Sequence, residues 1–140
     1  MSEEPRARDR KVVEEFRANG GVVGGTYARV PLLLLHHVGA KSGAARITPL
    51  AYIADGRHWV IFAANSGGPT HPGWYHNLCQ NPAAAVELAS GTYEVTIRIA
   101  QGPEREAFLE RFRQSSPYFA DFEKATQREI PVVVLERTQP

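Results

Sequence analysis

Apolar residues recur along this chain with two spacings, and the spacing divides it into helices and strands. Over residues 1–18 charges of both signs surround Val12, Val13 and Phe16, the one-sided pattern of an amphipathic helix, which stops at Asn19-Gly20-Gly21. A second glycine pair, Gly24-Gly25, leads from it into the core. Residues 30–38, 46–54 and 59–64 are short apolar runs separated by turn chemistry at Gly39, Gly43 and Asp55-Gly56, and the Asp-Gly pair marks a hairpin. A second hairpin joins 83–88 to 92–100 through Ser90-Gly91. In its second arm Tyr93, Val95, Ile97 and Ile99 alternate with Glu94, Thr96 and Arg98, which puts the two sets on opposite faces. Helical spacing returns at 72–80, at 103–114 and at 118–126. In the middle one of these, Pro103 suits a first turn, and Phe108, Leu109 and Phe112 form the apolar face. An apolar, β-branched run at 130–135 closes the pattern. Six strands with helices between them predict an α+β fold dominated by β structure. The expected form is a six-stranded closed or split β-barrel with an N-terminal helix and short connecting helices. The expected organisation is a helix and glycine-rich lead over 1–24, then one barrel domain over 25–140.

Composition narrows the function classes. At 140 residues and 43% hydrophobic, the chain can bury one core but hardly two. Sixteen Lys and Arg against fifteen Asp and Glu leave a net charge of +1, too little for nucleic-acid binding by charge. The lone Cys79 cannot close an intramolecular disulfide, and the N-terminus lacks the pattern of a secretory signal, so a reducing cytoplasm is expected. The most apolar run, 30–35, is too short to span a bilayer and leads straight into His36 and His37, which leaves contact with a lipid surface as the only membrane association to consider.

Two glycine turns hold the candidate chemistry. In Gly39-Ala40-Lys41-Ser42-Gly43 the glycines let backbone amides converge, Lys41 adds a mobile cation, Ser42 a hydroxyl, and nearby Arg46 a planar fork suited to phosphate or carboxylate. On spacing alone the same segment reads first as a solvated hairpin turn. The second turn, Ala63-Ala64-Asn65-Ser66-Gly67-Gly68, ends a strand in small residues and leaves room for a flat ring. Then comes His71-Pro72-Gly73-Trp74-Tyr75-His76-Asn77-Leu78. In it Trp74 and Tyr75 can wall a pocket, although Trp74 serves ordinary packing as well, and Asn77 and Leu78 can fix the helix to the barrel. His71 and His76 are either proton donors or surface groups at a helix start. His36 and His37 face opposite ways in a strand, so no metal site is expected, and Cys79 reads as a small packing residue.

Read together, the order L-L-L-x-x-x-G-x-K-S-G-x-x-R-x-x-P-L, D-G, A-x-x-G-G, H-P-x-W-Y-x-N-L-x-x-N-P and R-x-I-P-V-V-V-L resembles the deazaflavin-dependent nitroreductase and quinone reductase family over residues 25–136. The resemblance implies a split barrel like that of flavin-mononucleotide-binding oxidases. It also implies reduced F420 as donor of a hydride to a small acceptor: a quinone, a nitroaromatic or an activated enone. It places the cofactor's phosphate and acidic tail on Lys41, Ser42 and Arg46, with Gly43. Its ring would lie against Pro49, Leu50, Ala63, Ala64, Asn65 and Trp74, with Ser66, Gly67 and Tyr75 beside them.

The chain departs from the family on the acceptor side. Ser116, Phe119 and Phe122 stand where nitroreducing members carry tyrosines, Tyr118 is one position out of register, and Ala51 precedes Tyr52 where some members have the tyrosine itself. Ser66 replaces a lysine of some relatives. Tyr118, His71 and Ser116 are thus the candidates for handling a proton. Two further readings fit the same residues: a flavin-mononucleotide-binding barrel, and a protein that carries F420 without turnover. Under each of them the chain is either a monomer or a homodimer.

Overall fold

The protein is described by a computed structural model over residues 4–5, 9–27, 30–116 and 118–138. The chain runs β1 (Glu4–Pro5), α1 (Arg10–Ala18), β2 (Leu32–Val38), β3 (Ala45–Ala51), β4 (Ile53–Asp55), β5 (His58–Phe62), α2 (Gly73–Gln80), β6 (Ala83–Leu88), β7 (Gly91–Ile99), α3 (Gly102–Ser115), α4 (Phe119–Ala125) and β8 (Val132–Arg137). Single 3-10 turns lie at Gly25–Tyr27 and Asn65–Gly67.

The strands form one sheet in the order β1-β3-β2-β6-β7-β8-β5-β4, antiparallel throughout except for the short β1–β3 pair. This corrects the expected six strands. The apolar run at 46–54 is two strands, because the chain leaves the ladder at Tyr52, whose N–H bonds back to Pro31 O at 3.2 Å. Seven strands result, with the two-residue β1 as an eighth. Since β3 and β4 lie toward opposite ends of the sheet but are joined by a single residue, the sheet must curl until its ends almost meet. A second correction concerns the N-terminus: the helix begins at Arg10, and Glu4–Pro5 pair with Arg46 and Ile47 as a strand.

Burial explains the two hydrophobic patterns. Along β2, β5 and β8 both faces are covered. Leu33, Leu35, Trp59, Ile61, Val133 and Leu135 face the inside of the curl with Val86, Val95, Trp74 and Leu78. The alternate residues pack outward, Val60, Val132 and Val134 beneath Phe108, Leu109, Phe112 and Phe119 of α3 and α4, and Leu32, Leu34 and Ile47 beneath Val13 and Phe16 of α1. Two covered faces produce continuous apolar runs, whereas β7 keeps an open face and alternates. Each fully buried aliphatic side chain contributes about 1.5–3 kcal/mol, so these strands anchor the fold. No helix among the described residues is long and apolar enough to cross a membrane.

Candidate active site

Between the nearly meeting ends of the sheet lies a cleft of about 970 Å³. Its floor is unusual: Arg46, Ile47, Thr48, Pro49, Leu50 and Ala51 all line it in succession. Side chains of one strand alternate between faces, so six consecutive residues border one cavity only where it reaches round the strand's edge, which no described strand covers beyond the β1 pairing at Arg46 and Ile47. Pro49, which has no N–H to donate, suits such an edge. The facing wall comes from Phe62, Ala64, Asn65, His71 to Trp74 and Asn77, and the rim from Ser116, Tyr118 and Phe122 at the junction of α3 and α4.

Arg46 is half-buried in the cleft, and its guanidinium makes one weak bond, to Ala45 O at 3.5 Å, with no carboxylate partner among the described residues. A planar cation with most of its donors uncommitted is a receptor for an anion. The Gly39–Gly43 turn is exposed and stands outside the cleft lining, and its internal chemistry is self-contained. Gly43 N–H donates to Gly39 O at 3.0 Å, and Ala44 N–H donates to Ser42 Oγ at 3.1 Å. A Cβ on Gly39 would sit 2.6 Å from Ser42 Oγ, so the glycine makes room for the hydroxyl that caps the turn. Lys41 on this turn is exposed to solvent.

A hydrogen-bonded chain connects that turn to the cleft. Ala40 N–H donates to Asn77 Oδ1 at 2.8 Å, which leaves the Asn77 amide nitrogen toward His37 Nδ1 at 3.1 Å. An amide nitrogen can only donate, so Nδ1 of His37 is the acceptor. The neutral ring then carries its proton on Nε2 and donates to Thr48 Oγ1 at 2.8 Å. Thr48 keeps its own O–H to donate, and both Thr48 and His37 line the cleft. His36, the neighbour, points away and meets Glu87 at 2.9 Å.

The second glycine turn is held from behind by Arg128. Its Nε donates to Gly68 O at 3.2 Å, one terminal nitrogen to Ala64 O at 2.7 Å, and the other reaches Ala63 O at 3.1 Å and His71 Nδ1 at 2.8 Å. Within the turn Asn65 adopts φ 49, and its side chain donates to Thr70 O at 3.0 Å. Burial, the Arg128 charge and His76 together hold the His71 imidazole below its ordinary pKa.

The expected site residues therefore divide. Arg46, Pro49, Leu50, Ala64, Asn65, Trp74, His71, Ser116 and Tyr118 meet in one cleft. Lys41, Ser42 and Gly43 lie on the nearby exposed turn, while Ala63 is wholly buried behind the wall. Gly67 closes the back of its turn against Ala125. Tyr75 packs on the core and beside His71, with ring centroids 4.9 Å apart. The Ser66 side chain lies outside what the structure describes. Trp74 serves both readings, because it is 8% exposed, belongs to the core and still borders the cleft. Phe119 is fully buried against Phe62 and Phe112 and cannot face an acceptor. Cys79 is exposed on α2 and is not the packing residue expected, because it falls on the helix side opposite Trp74 and Leu78. The residues to which the sequence assigned no role in the cleft are His37, Thr48 and Arg128; the arginine that opens R-x-I-P-V-V-V-L was the one available signal.

Comparison with known proteins shows the family and the fold. A family model described as F420H(2)-dependent quinone reductase matches residues 8–137. An F420H(2)-dependent quinone reductase of Mycobacterium tuberculosis strain H37Rv is 33% identical over 136 residues, covering 89% of this chain and 91% of that protein. A solved structure of an F420-H2 dependent reductase superposes with a TM-score of 0.69 at 33% identity, over 76% of this chain and 94% of the other. Another, described as a domain-swapped dimer, reaches 0.72 at 30% identity over 91% and 96%.

Proposed function

This chain belongs to the F420H(2)-dependent quinone reductase family, and on that premise we propose that it transfers a hydride from reduced F420 to a quinone held in the cleft along the β3 edge. The observation that carries the reading is Arg46, a cleft-facing cation whose donors are almost all uncommitted. F420 is a flat deazaflavin with a phosphate and an acidic tail, and the donor set fits it. Arg46, with Lys41 at the mouth, suits the anionic part. Pro49, Leu50, Ala64 and Trp74 offer an apolar slot for the ring, with Asn65 as a polar contact at its border. The bound deazaflavin supplies the hydride.

The protein's own residues bind, orient and exclude water. The apolar walls dry the slot and hold two flat partners face to face, which is the main requirement of a hydride transfer. Phe62 and Phe122, with the exposed Tyr118 at the rim, form an aromatic side suited to a quinone ring. A quinone that accepts a hydride also takes up one proton to become the quinol. Tyr118, a phenol at the rim, passes that proton from solvent, in place of the tyrosines that nitroreducing members carry nearby.

The test is titration of purified protein with F420 and, separately, flavin mononucleotide, followed by anaerobic oxidation of F420H2 by menadione. Selective F420 binding with quinone-dependent turnover is expected. Preferential flavin binding would overturn the cofactor assignment, and F420 binding without turnover would leave a carrier.

A further inference from the structure

Arg128 and His71 form a pair that the proposed reaction has not used. Three of Arg128's partners are backbone carbonyls of the second glycine turn, a fourth is the neighbouring Glu129 O at 3.4 Å, and the one side chain it meets is His71, at Nδ1 and 2.8 Å. A guanidinium never accepts a hydrogen bond, so this contact requires a lone pair on Nδ1 and puts the proton of the neutral ring on Nε2. His71 lines the cleft, and its Nε2 has no hydrogen-bond partner among the described residues. The groups around the ring favour the neutral state. Arg128 lies on the segment before β8, and Tyr75 and His76 approach from α2 at ring distances of 4.9 and 5.9 Å. Glu129 follows Arg128 and is exposed, with its carboxylate 3.1 Å from Arg105. The lowered pKa of His71 agrees with this arrangement.

We propose that His71 is a fixed Nε2–H donor that orients a carbonyl oxygen of a molecule bound in the cleft, and that Arg128 is the positioning residue that holds it in this tautomer. The donor is neutral, so it binds a ketonic oxygen without drawing in a counter-anion. Deazaflavin and quinone both carry such oxygens, and the inference rests on the reading that both enter this cleft. Arg128 acts twice. It fixes the carbonyls of Ala63, Ala64 and Gly68, which shape the wall, and it sets the donor that projects from that wall.

The tautomer is read directly by long-range 1H–15N correlation NMR of labelled protein at pH 7, with no ligand present. A His71 ring protonated on Nε2 alone is expected; an Nδ1–H form or an imidazolium overturns the proposal. Arg128→Lys keeps the charge but cannot make the fork, so averaged Nδ1 and Nε2 signals are expected. An unchanged tautomer there removes Arg128 from the positioning role. In binding, His71→Phe should weaken either oxidised F420 or menadione by about five- to tenfold, the effect of one neutral hydrogen bond. His71→Gln, which keeps a donor at the same reach, should restore it. The ligand that responds is the one His71 grips. If neither responds, or if glutamine fails as phenylalanine does, the proposal falls. Absence of F420 binding by the unaltered protein would sink the cofactor reading instead, and the tautomer measurement would still be decided on its own.

Discussion

The side-chain carbonyl of Asn77 accepts the backbone N–H of Ala40 at 2.8 Å, so helix α2 holds the exposed Lys41 turn through one amide. The same amide meets His37 on its other end at 3.1 Å. Asn77→Ala removes both contacts at once. It should destabilise the protein by about 1–3 kcal/mol and weaken F420 binding, because the turn loses its tether. Thermal denaturation and a fluorescence titration measure the two effects; a variant with unaltered stability and affinity contradicts the tether.

Arg46 and Lys41 should contribute unequally to holding the anionic cofactor. Arg46 is half-buried, has its donors uncommitted and borders the cleft, so Arg46→Ala should cost about 1.5–3 kcal/mol of F420 affinity. Lys41 is exposed, and its contribution is screened to about 0.2–1 kcal/mol. Kd values at two salt concentrations check the order, with Lys41→Ala showing the effect that salt more readily erases. A larger loss at Lys41 than at Arg46 would reverse the assignment.

Gly67 carries two constraints together. Its φ of +81 disfavours a side chain, and a Cβ would lie 2.7 Å from the Ala125 Cβ. Gly67→Ala should therefore cost about 1–3 kcal/mol and lower Tm by several degrees. Adding Ala125→Gly should recover the part due to the contact and leave the part due to the backbone. A single variant as stable as the parent protein would mean that the turn moves freely.

Stability should depend on acid through Glu87. Its carboxylate receives both Arg17 Nε at 3.0 Å and an Arg17 terminal nitrogen at 2.9 Å, and it meets His36 at 2.9 Å. The bonds from Arg17, then the one with His36, hold its pKa below the ordinary glutamate value despite partial burial. A carboxyl depressed in the folded state adds stability above its unfolded pKa of about 4.3 and loses it as pH falls through the folded value. Glu87→Gln should be less stable at neutral pH by about 1 kcal/mol, a figure discounted because Arg17 is half exposed. The difference should shrink below about pH 4. Denaturant titrations across pH 3–7 measure it, and a gap that persists in acid would assign the effect to packing.

Much of the architecture was legible from spacing. The hairpin at Asp55-Gly56, the alternation in β7 and the start of α3 at Gly102-Pro103 follow from local chemistry that no tertiary contact overrides. The break at Tyr52 was not legible, since 47–54 carries no charge and no turn signal after Pro49, and only the curl of the sheet requires the chain to leave one end and join the other. In the cleft, the motif residues Arg46, Trp74 and Asn65 could be read because their types carry distinct chemistry. His37 and Thr48 could not, because nothing in a strand's period tells that its edge, rather than a face, borders the cavity. Arg128 stands first in the R-x-I-P-V-V-V-L motif, but its role could not be read, because the turn carbonyls it holds lie 60 or more residues away in the chain and leave no mark on composition.

Beyond Ile47 no strand among the described residues pairs with the outer side of β3, and an unpaired strand edge is ordinarily where a second copy of a chain adds itself and aggregation begins. Here that edge is sunk in the cleft, with a proline at its middle and α2 and α4 standing across from it. An incoming strand would meet the Pro49 ring, which offers no N–H, and the helices across the cleft before it could pair. The same feature that makes the sheet incomplete also protects it from polymerising.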